Sequence, residues 1–197
     1  TWGLLPIYWK LFLGIPPLEV LVHRILWSVI FLMFVVLIQK KFILLVELCR
    51  SPKQLFIILT TSMLLGANWM IYIWAVNEGF VIETSLGYFI NPLVNVMLGM
   101  IIFKERFKLW QTLALILALC GVLNYLFGFG ELPWIALGLA SSFSIYGMLR
   151  KISEAGPLIG LTMETLILVP VALLLLSWWT LDGSSHFGTM SELDLYF

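Results

Sequence analysis

The chain has 197 residues, 61% of them apolar and only 11% charged, with a mean hydropathy of +1.04. Soluble domains carry about 25% charged residues, so that class is excluded. Eleven Lys and Arg balance eleven Asp and Glu, which leaves no basic field to hold a nucleic acid.

A helix rises about 1.5 Å per residue and a bilayer core is about 30 Å thick, so apolar runs of about 20 residues are the unit of organisation. Residues 1–13 read as the outer part of a first span that begins before Thr1, because Trp2 to Trp9 is already apolar. The second span is expected over 17–38, after the turn Gly14-Ile15-Pro16-Pro17. Residues 39–53 place Phe42, Leu45, Val46 and Cys49 at helical spacing among Lys40, Lys41, Arg50 and Lys53. That pattern predicts a short amphipathic helix on the membrane surface. Spans three to seven follow over 54–76, 84–103, 109–130, 132–149 and 157–181, joined by short links rich in Gly, Pro, Asn and Ser that force neighbours to run antiparallel. The close, Ser191 to Phe197, turns apolar again and is expected to begin an eighth span. The fold class is therefore an all-α integral membrane bundle of about seven spans.

Nine of the eleven Lys and Arg fall in 39–53, 104–108 and 150–156. Lys and Arg accumulate on cytoplasmic loops, so these three loops are assigned to the cytoplasm and odd-numbered spans run outward. The alternate loops hold no Lys or Arg. Trp74, Trp110, Trp134, Trp178 and Trp179 sit near span ends, where an amphipathic ring suits the headgroup layer.

Lys10 and Arg24 are the two cations outside those loops. Arg24 lies seven residues past Pro17, roughly 10 Å along its span, where a charge faces the protein interior or a wet cavity unless it snorkels to the outer headgroups. Glu164 lies seven residues past Pro157 on a span entered from the cytoplasm. The two charges are expected about 10 Å apart in depth, suited to opposite ends of one small-molecule cavity. The alternative is a structural pair between Glu164 and a loop cation such as Lys151.

A shift of 140 residues lays Pro17, Leu18, Leu21, Leu26 and Val29 on Pro157, Leu158, Leu161, Leu166 and Val169, five identities in thirteen positions. The same shift takes Lys10 to Arg150 and Arg24 to Glu164. It relates spans of opposite membrane orientation, as in an inverted repeat. Residues 1–130 are then a first five-helix repeat, with its first helix cut short, and 131–197 the start of a second.

Thr84, Tyr88, Asn91 and Asn95 recur at steps of four, three and four on the fourth span, one face that should look inward. Pro92 predicts a kink there. Asn68 and Tyr72 stand one turn apart on the third span, with Trp69 beside them. Trp2, Pro6 and Lys10 repeat at four-residue steps on the first span, as Ser142, Tyr146 and Arg150 do on the sixth. These groups suit the wall of a pocket for a small organic molecule, while the asparagines equally suit helix-to-helix hydrogen bonds. Gly138 with Ser142, and Ala114 with Ala118, suit close helix packing.

The run Gly87-Tyr88-Phe89-Ile90-Asn91-Pro92-Leu93-Val94-Asn95, followed by Phe103-Lys104-Glu105-Arg106-Phe107, resembles the signature of the EamA drug/metabolite transporters. Together with His23-Arg24-Ile25-Leu26-Trp27-Ser28, Gly66-Ala67-Asn68-Trp69 and Met163-Glu164-Thr165-Leu166, it is more narrowly similar to the RarD branch, which carries a chloramphenicol-sensitivity label. The resemblance implies a bacterial inner-membrane permease with ten helices in two inverted five-helix repeats. The expected activity is secondary transport of small drugs or metabolites by alternating access, with the lipid bilayer as environment and a proton at Glu164 as candidate coupling ion. Lys10, Arg24, Asn68, Trp69, Tyr72, Tyr88, Asn91, Asn95, Tyr146 and Glu164 are the candidate pathway residues. A non-transporting assembly or receptor subunit is the alternative. No enzyme is expected: His23 and His186 are the two histidines, and no His-Glu-x-x-His run exists. Cys49 and Cys120 make no metal cluster, so neither metal nor cofactor is expected.

Overall fold

A computed structural model describes residues 15–104, 108–129 and 132–184. Lys10, with Trp2 and Pro6, and the expected eighth span lie outside the described residues. So does Arg106. Among the described residues there are seven helices and no strand: α1 Pro17–Ile38, α2 Phe42–Cys49, α3 Pro52–Asn77, α4 Val81–Phe103, α5 Leu109–Phe129, α6 Trp134–Ile152 and α7 Pro157–Asp182.

Proline opens α1, α3 and α7, where its missing N–H wastes no bond and its fixed φ suits the first turn. Ser51 caps α3, its hydroxyl accepting from the Gln54 N–H at 3.5 Å. Gly79 and Gly183 turn the chain out of α3 and α7 with φ of 87° and 70°, a left-handed backbone that costs glycine nothing.

By length and composition α1, α3, α4 and α7 are able to cross a bilayer, and α5 holds a shorter apolar stretch, Leu109–Tyr125. Their outer faces expose Phe31, Phe34, Phe56, Met63, Phe89 and Leu174, side chains that belong in hydrocarbon. α6 is less apolar, with Ser141, Ser142, Ser144, Arg150 and Lys151. One reason is its place in the bundle: it packs on α4 more extensively than any other pair and also along α3, although Trp134, Phe143 and Ile145 stay exposed. α3 is the hub, touching α1, α2, α4, α6 and α7, while α1 lies on α7 and α5 on α4.

Apolar contact alone favours no helix pairing in lipid, so small residues that admit close approach decide it. The sequence suggests Gly138 and the Ala114/Ala118 pair for this role, and the structure corrects it. A Cβ on Gly138 would meet nothing within 4 Å, and Ala114 and Ala118 are exposed. The close seam is Gly87 of α4 against α6, where a Cβ would stand 3.3 Å from the Ala136 carbonyl and from Leu139 Cβ. Fully buried Ala136 and nearly buried Ala140 complete it. Replacing Gly87 with Leu forces the two helices apart, at about 1–3 kcal/mol for overpacking. Thermal unfolding in detergent should record a Tm several degrees lower; an unchanged Tm would show the seam to be loose.

α2 is present where a short helix was expected, and its apolar residues divide between the bundle and the exterior. Leu45 and Leu48 are buried against Val36, Ile58, Ile159 and Met163, whereas Phe42, Val46 and Cys49 are exposed. The short helix is wedged under the bundle by one edge, with its aromatic edge turned outward.

Candidate functional site

Two polar clusters lie at different depths of the bundle. The outer one surrounds a cavity of about 500 Å³. α1 contributes Arg24; α3 contributes Asn68, Trp69 and Tyr72; α4 contributes Thr84, Gly87, Tyr88, Asn91 and Pro92; α6 contributes Leu139 and Phe143. Arg24 is seven residues from the outer end of α1, Tyr72 five from that of α3 and Tyr88 seven from that of α4, so the cavity occupies roughly the outer 10–15 Å of the bundle.

Each polar wall residue is fixed from behind. The Arg24 guanidinium carbon stands 4.0 Å from the Trp69 ring centroid, a cation–π contact. Tyr72 and Tyr88 meet edge to face, centroids 6.0 Å apart, and their hydroxyls hydrogen-bond to each other. Asn68 Nδ2 donates to the Leu139 carbonyl at 3.0 Å and to Ser142 Oγ at 2.9 Å. Asn91 Oδ1 accepts from Asn95 Nδ2, and Ser144 Oγ donates to the Asn91 carbonyl at 3.3 Å. The two readings of the asparagines merge: Asn68 and Asn91 line the cavity and also bind α6, whereas Asn95 stands behind Asn91 and is no part of the wall.

The inner cluster is built on Glu164, which is fully buried. Its Oε2 accepts from the Tyr146 hydroxyl at 3.1 Å, Thr61 adjoins it, and Arg150 Nε lies 3.7 Å from Oε1. Arg150 Nη2 donates to the Gly156 carbonyl at 3.2 Å. The guanidinium crosses Gly160 so closely that a Cβ at that position would overlap it. Below, buried Gln54 accepts from Ser153 Oγ at 3.2 Å and from the Glu154 N–H at 3.3 Å, tying α3 to the joint between α6 and α7.

The rings of Phe143 and Tyr146 stack at 5.6 Å between the clusters. Phe143 forms part of the cavity wall and Tyr146 holds Glu164.

Of the ten sequence candidates, Arg24, Asn68, Trp69, Tyr72, Tyr88 and Asn91 meet at the cavity. Tyr146 and Glu164 belong to the inner cluster, and Lys10 lies outside the described residues. One expectation is corrected: Arg24 and Glu164 are not two ends of one cavity, because the Phe143–Tyr146 stack separates them. The structural partner of Glu164 is Arg150, not Lys151, whose ammonium sits 4.2 Å from the Phe103 ring centroid. Sequence reasoning missed Phe143 and Gly160, and it set Arg150 on the inward face of the sixth span without pairing it with Glu164. The signals for Arg150 were its four-residue step from Tyr146 and its register with Lys10 in the 140-residue shift. Gly160 stands one turn before Glu164, a gap on the same face that admits a cation. Phe143 has no signal among so many aromatic residues.

The EamA-like transporter family model matches residues 1–127. Protein RarD of Salmonella typhi is 46% identical over 187 residues, covering 95% of this chain and 64% of that protein. Protein RarD of Escherichia coli (strain K12) is 46% identical over 187 residues, covering 95% and 63%. An uncharacterized transporter of Pseudomonas aeruginosa is 44% identical over 182 residues, covering 92% and 61%. The chain thus spans a little under two thirds of the length of these relatives. No solved structure matches. With its apolar spans, the chain is an integral protein of the bacterial inner membrane.

Proposed function

We propose that this chain, which belongs to the EamA-like transporter family, carries the solute cavity and the cytoplasmic closure of a secondary transporter for small organic molecules. The supporting observation is the two-tier arrangement. A hollow of about 500 Å³ with aromatic and amide walls lies in the outer half, and a buried ion pair, its Glu164 also held by the Tyr146 hydroxyl, lies in the inner half. A cavity of this size is in the usual range for small-molecule sites. The stacked rings and the ion pair put a barrier on one side of the solute, as one of the two states of an alternating-access cycle requires. The second state needs the Arg150–Glu164 contact to part and the outer helices to close. Secondary transporters place such sites between inverted repeats, and we assign residues 1–130 and 131–197 to two such repeats. Glu164 is the proposed proton site, because protonation removes the charge that attracts Arg150.

Accessibility to a membrane-impermeant maleimide tests this in the full-length protein, with Cys49 and Cys120 replaced by Ser. A cysteine in place of Tyr88 should react from the outside, and one in place of Thr61 from neither side. Adding Glu164→Gln should open the Thr61 position to the cytoplasm and reduce outside labelling of the Tyr88 position. A Tyr88-position cysteine that reacts only from the cytoplasm, or from neither face, overturns the assignment.

A further inference from the structure

We propose that the outward edge of α2 binds an acidic phospholipid of the cytoplasmic leaflet, and that this lipid braces the inner ends of α1, α3 and α7.

The first argument is depth. The buried edge of α2, Leu45 and Leu48, shares a core with Val36, Ile58, Ile159 and Met163. Val36 is two residues from the inner end of α1 and Ile159 two residues from that of α7, so α2 lies about one turn inside the ends of the spans. That level is the boundary between hydrocarbon and headgroups. The opposite edge exposes Phe42, Ile43 and Val46, and Leu37 and Ile38 at the end of α1 are exposed as well. Apolar side chains at this boundary suit acyl chains, and a cytosolic protein would have to enter the headgroup layer to reach them.

The second argument is charge. Lys40 and Lys41 stand before this apolar edge and Arg50 and Lys53 after it, all four exposed. Glu47 is the one carboxylate within residues 40–53. Long basic side chains lay their stems along apolar surface and lift their heads to the phosphate layer. Clusters of about four to eight such residues beside a span or on an amphipathic helix recognise acidic headgroups.

The third argument is the sign of charge at the helix ends. A helix N-terminus favours an anion, yet neither α2 nor α3 has an acidic residue in its first turn. Lys41 is instead the N-cap of α2, with no side-chain cap bond, and Lys53 is the second residue of α3. A lipid phosphate beside these lysines turns a repulsive arrangement into an attractive one. Loop charge that serves only to orient the chain needs no such placement, and the cations at the end of α6 are engaged within the protein: Lys151 on the Phe103 ring and Arg150 with Glu164.

Bracing follows from what the buried edge rests on. Met163 precedes Glu164 in α7, and the Ile58 carbonyl accepts from the Thr61 hydroxyl at 3.0 Å. A lipid that seats α2 therefore also holds the surroundings of the inner cluster.

The test uses full-length protein with Cys49, exposed at the end of α2, as its one remaining cysteine and a bimane fluorophore attached there. In phosphatidylcholine vesicles, quenching by brominated phosphatidylglycerol is compared with quenching by brominated phosphatidylcholine at equal mole fraction. Each basic residue near an acidic surface is worth about fivefold in affinity, so phosphatidylglycerol should be preferred about fivefold or more. Salt at about 1 M, where the Debye length is about 3 Å, should bring the preference toward one with the protein unaltered. Lys40→Gln/Lys41→Gln should lower it several-fold, whereas Lys104→Gln/Lys108→Gln should leave it unchanged. In nanodiscs, replacing phosphatidylcholine with phosphatidylglycerol should raise the unfolding midpoint by several degrees, a rise that Lys40→Gln/Lys41→Gln should lose. Equal quenching by the two lipids overturns the lipid site and leaves the patch to an acidic protein segment. A preference lost equally in both double variants overturns it too, since the charge then acts from anywhere on the inner face. A preference without the rise in midpoint overturns the bracing.

Discussion

Arg150→Met is expected to destabilise the protein by about 3–5 kcal/mol, because it strands the Glu164 carboxylate in the bundle with its counter-charge gone. Glu164 is fully buried and the Arg150 side chain is only 14% exposed, so water replaces little of the lost attraction. Two unit charges near 4 Å attract by about 4 kcal/mol at an effective dielectric near 20, while desolvation costs several kcal/mol per ion. The pair as a whole therefore sits near balance, and most of the damage from removing one member comes from the orphaned partner. It follows that Arg150→Met combined with Glu164→Gln should recover most of the loss, since Gln still accepts from Tyr146 without carrying charge. Unfolding midpoints of the two single variants and the double variant in detergent give the cycle. Simple additivity of the two losses would mean that the charges do not depend on each other.

Gly160→Val should reproduce that loss without touching either charged group. The Arg150 guanidinium occupies the space where a Cβ at residue 160 would stand, and α7 packs against α1 and α3 as well, which limits its retreat. The new side chain must evict the guanidinium, and Glu164 is then left as in Arg150→Met. The expected cost is about 1–3 kcal/mol for crowding plus a share of the stranded-charge penalty. The decisive comparison is the same substitution in the Arg150→Met/Glu164→Gln background, where there is no guanidinium to displace and the crowding term should largely vanish. An equal loss in both backgrounds would place the effect on the α7 backbone instead.

Span boundaries were legible because the chain punctuates them with proline and short turns. Residues 17–38 were expected and Pro17–Ile38 is found; elsewhere the ends move by up to three residues, as where 84–103 becomes Val81–Phe103. The inward stripe of the fourth span was legible as far as Asn91, since a four-three-four spacing fixes a face. It failed at Asn95, where the same face has passed below the cavity. The pairing of Arg150 with Glu164 was hidden for a reason of geometry. Charge counting placed Arg150 in a cytoplasmic loop, but it lies two residues inside the end of α6. Helical side chains lean toward the N-terminus of their helix, and for α6 that direction is into the membrane. Neither composition nor spacing reports that lean, nor which glycine faces a neighbour: Gly87 and Gly138 look alike in the sequence and differ entirely in what surrounds them.

The paired rings of Phe143 and Tyr146 join what the membrane depth divides. One ring is in reach of whatever occupies the upper hollow, and the other holds the carboxylate beneath. A guest that displaces Phe143 alters the energy of the lower lock, and linkage then works in both directions: any change that loosens the lock shifts guest affinity by the same factor that the guest shifts the lock. Under the proposed transport cycle, affinity for a solute in the hollow is thus also a gauge of how firmly the opposite end is shut.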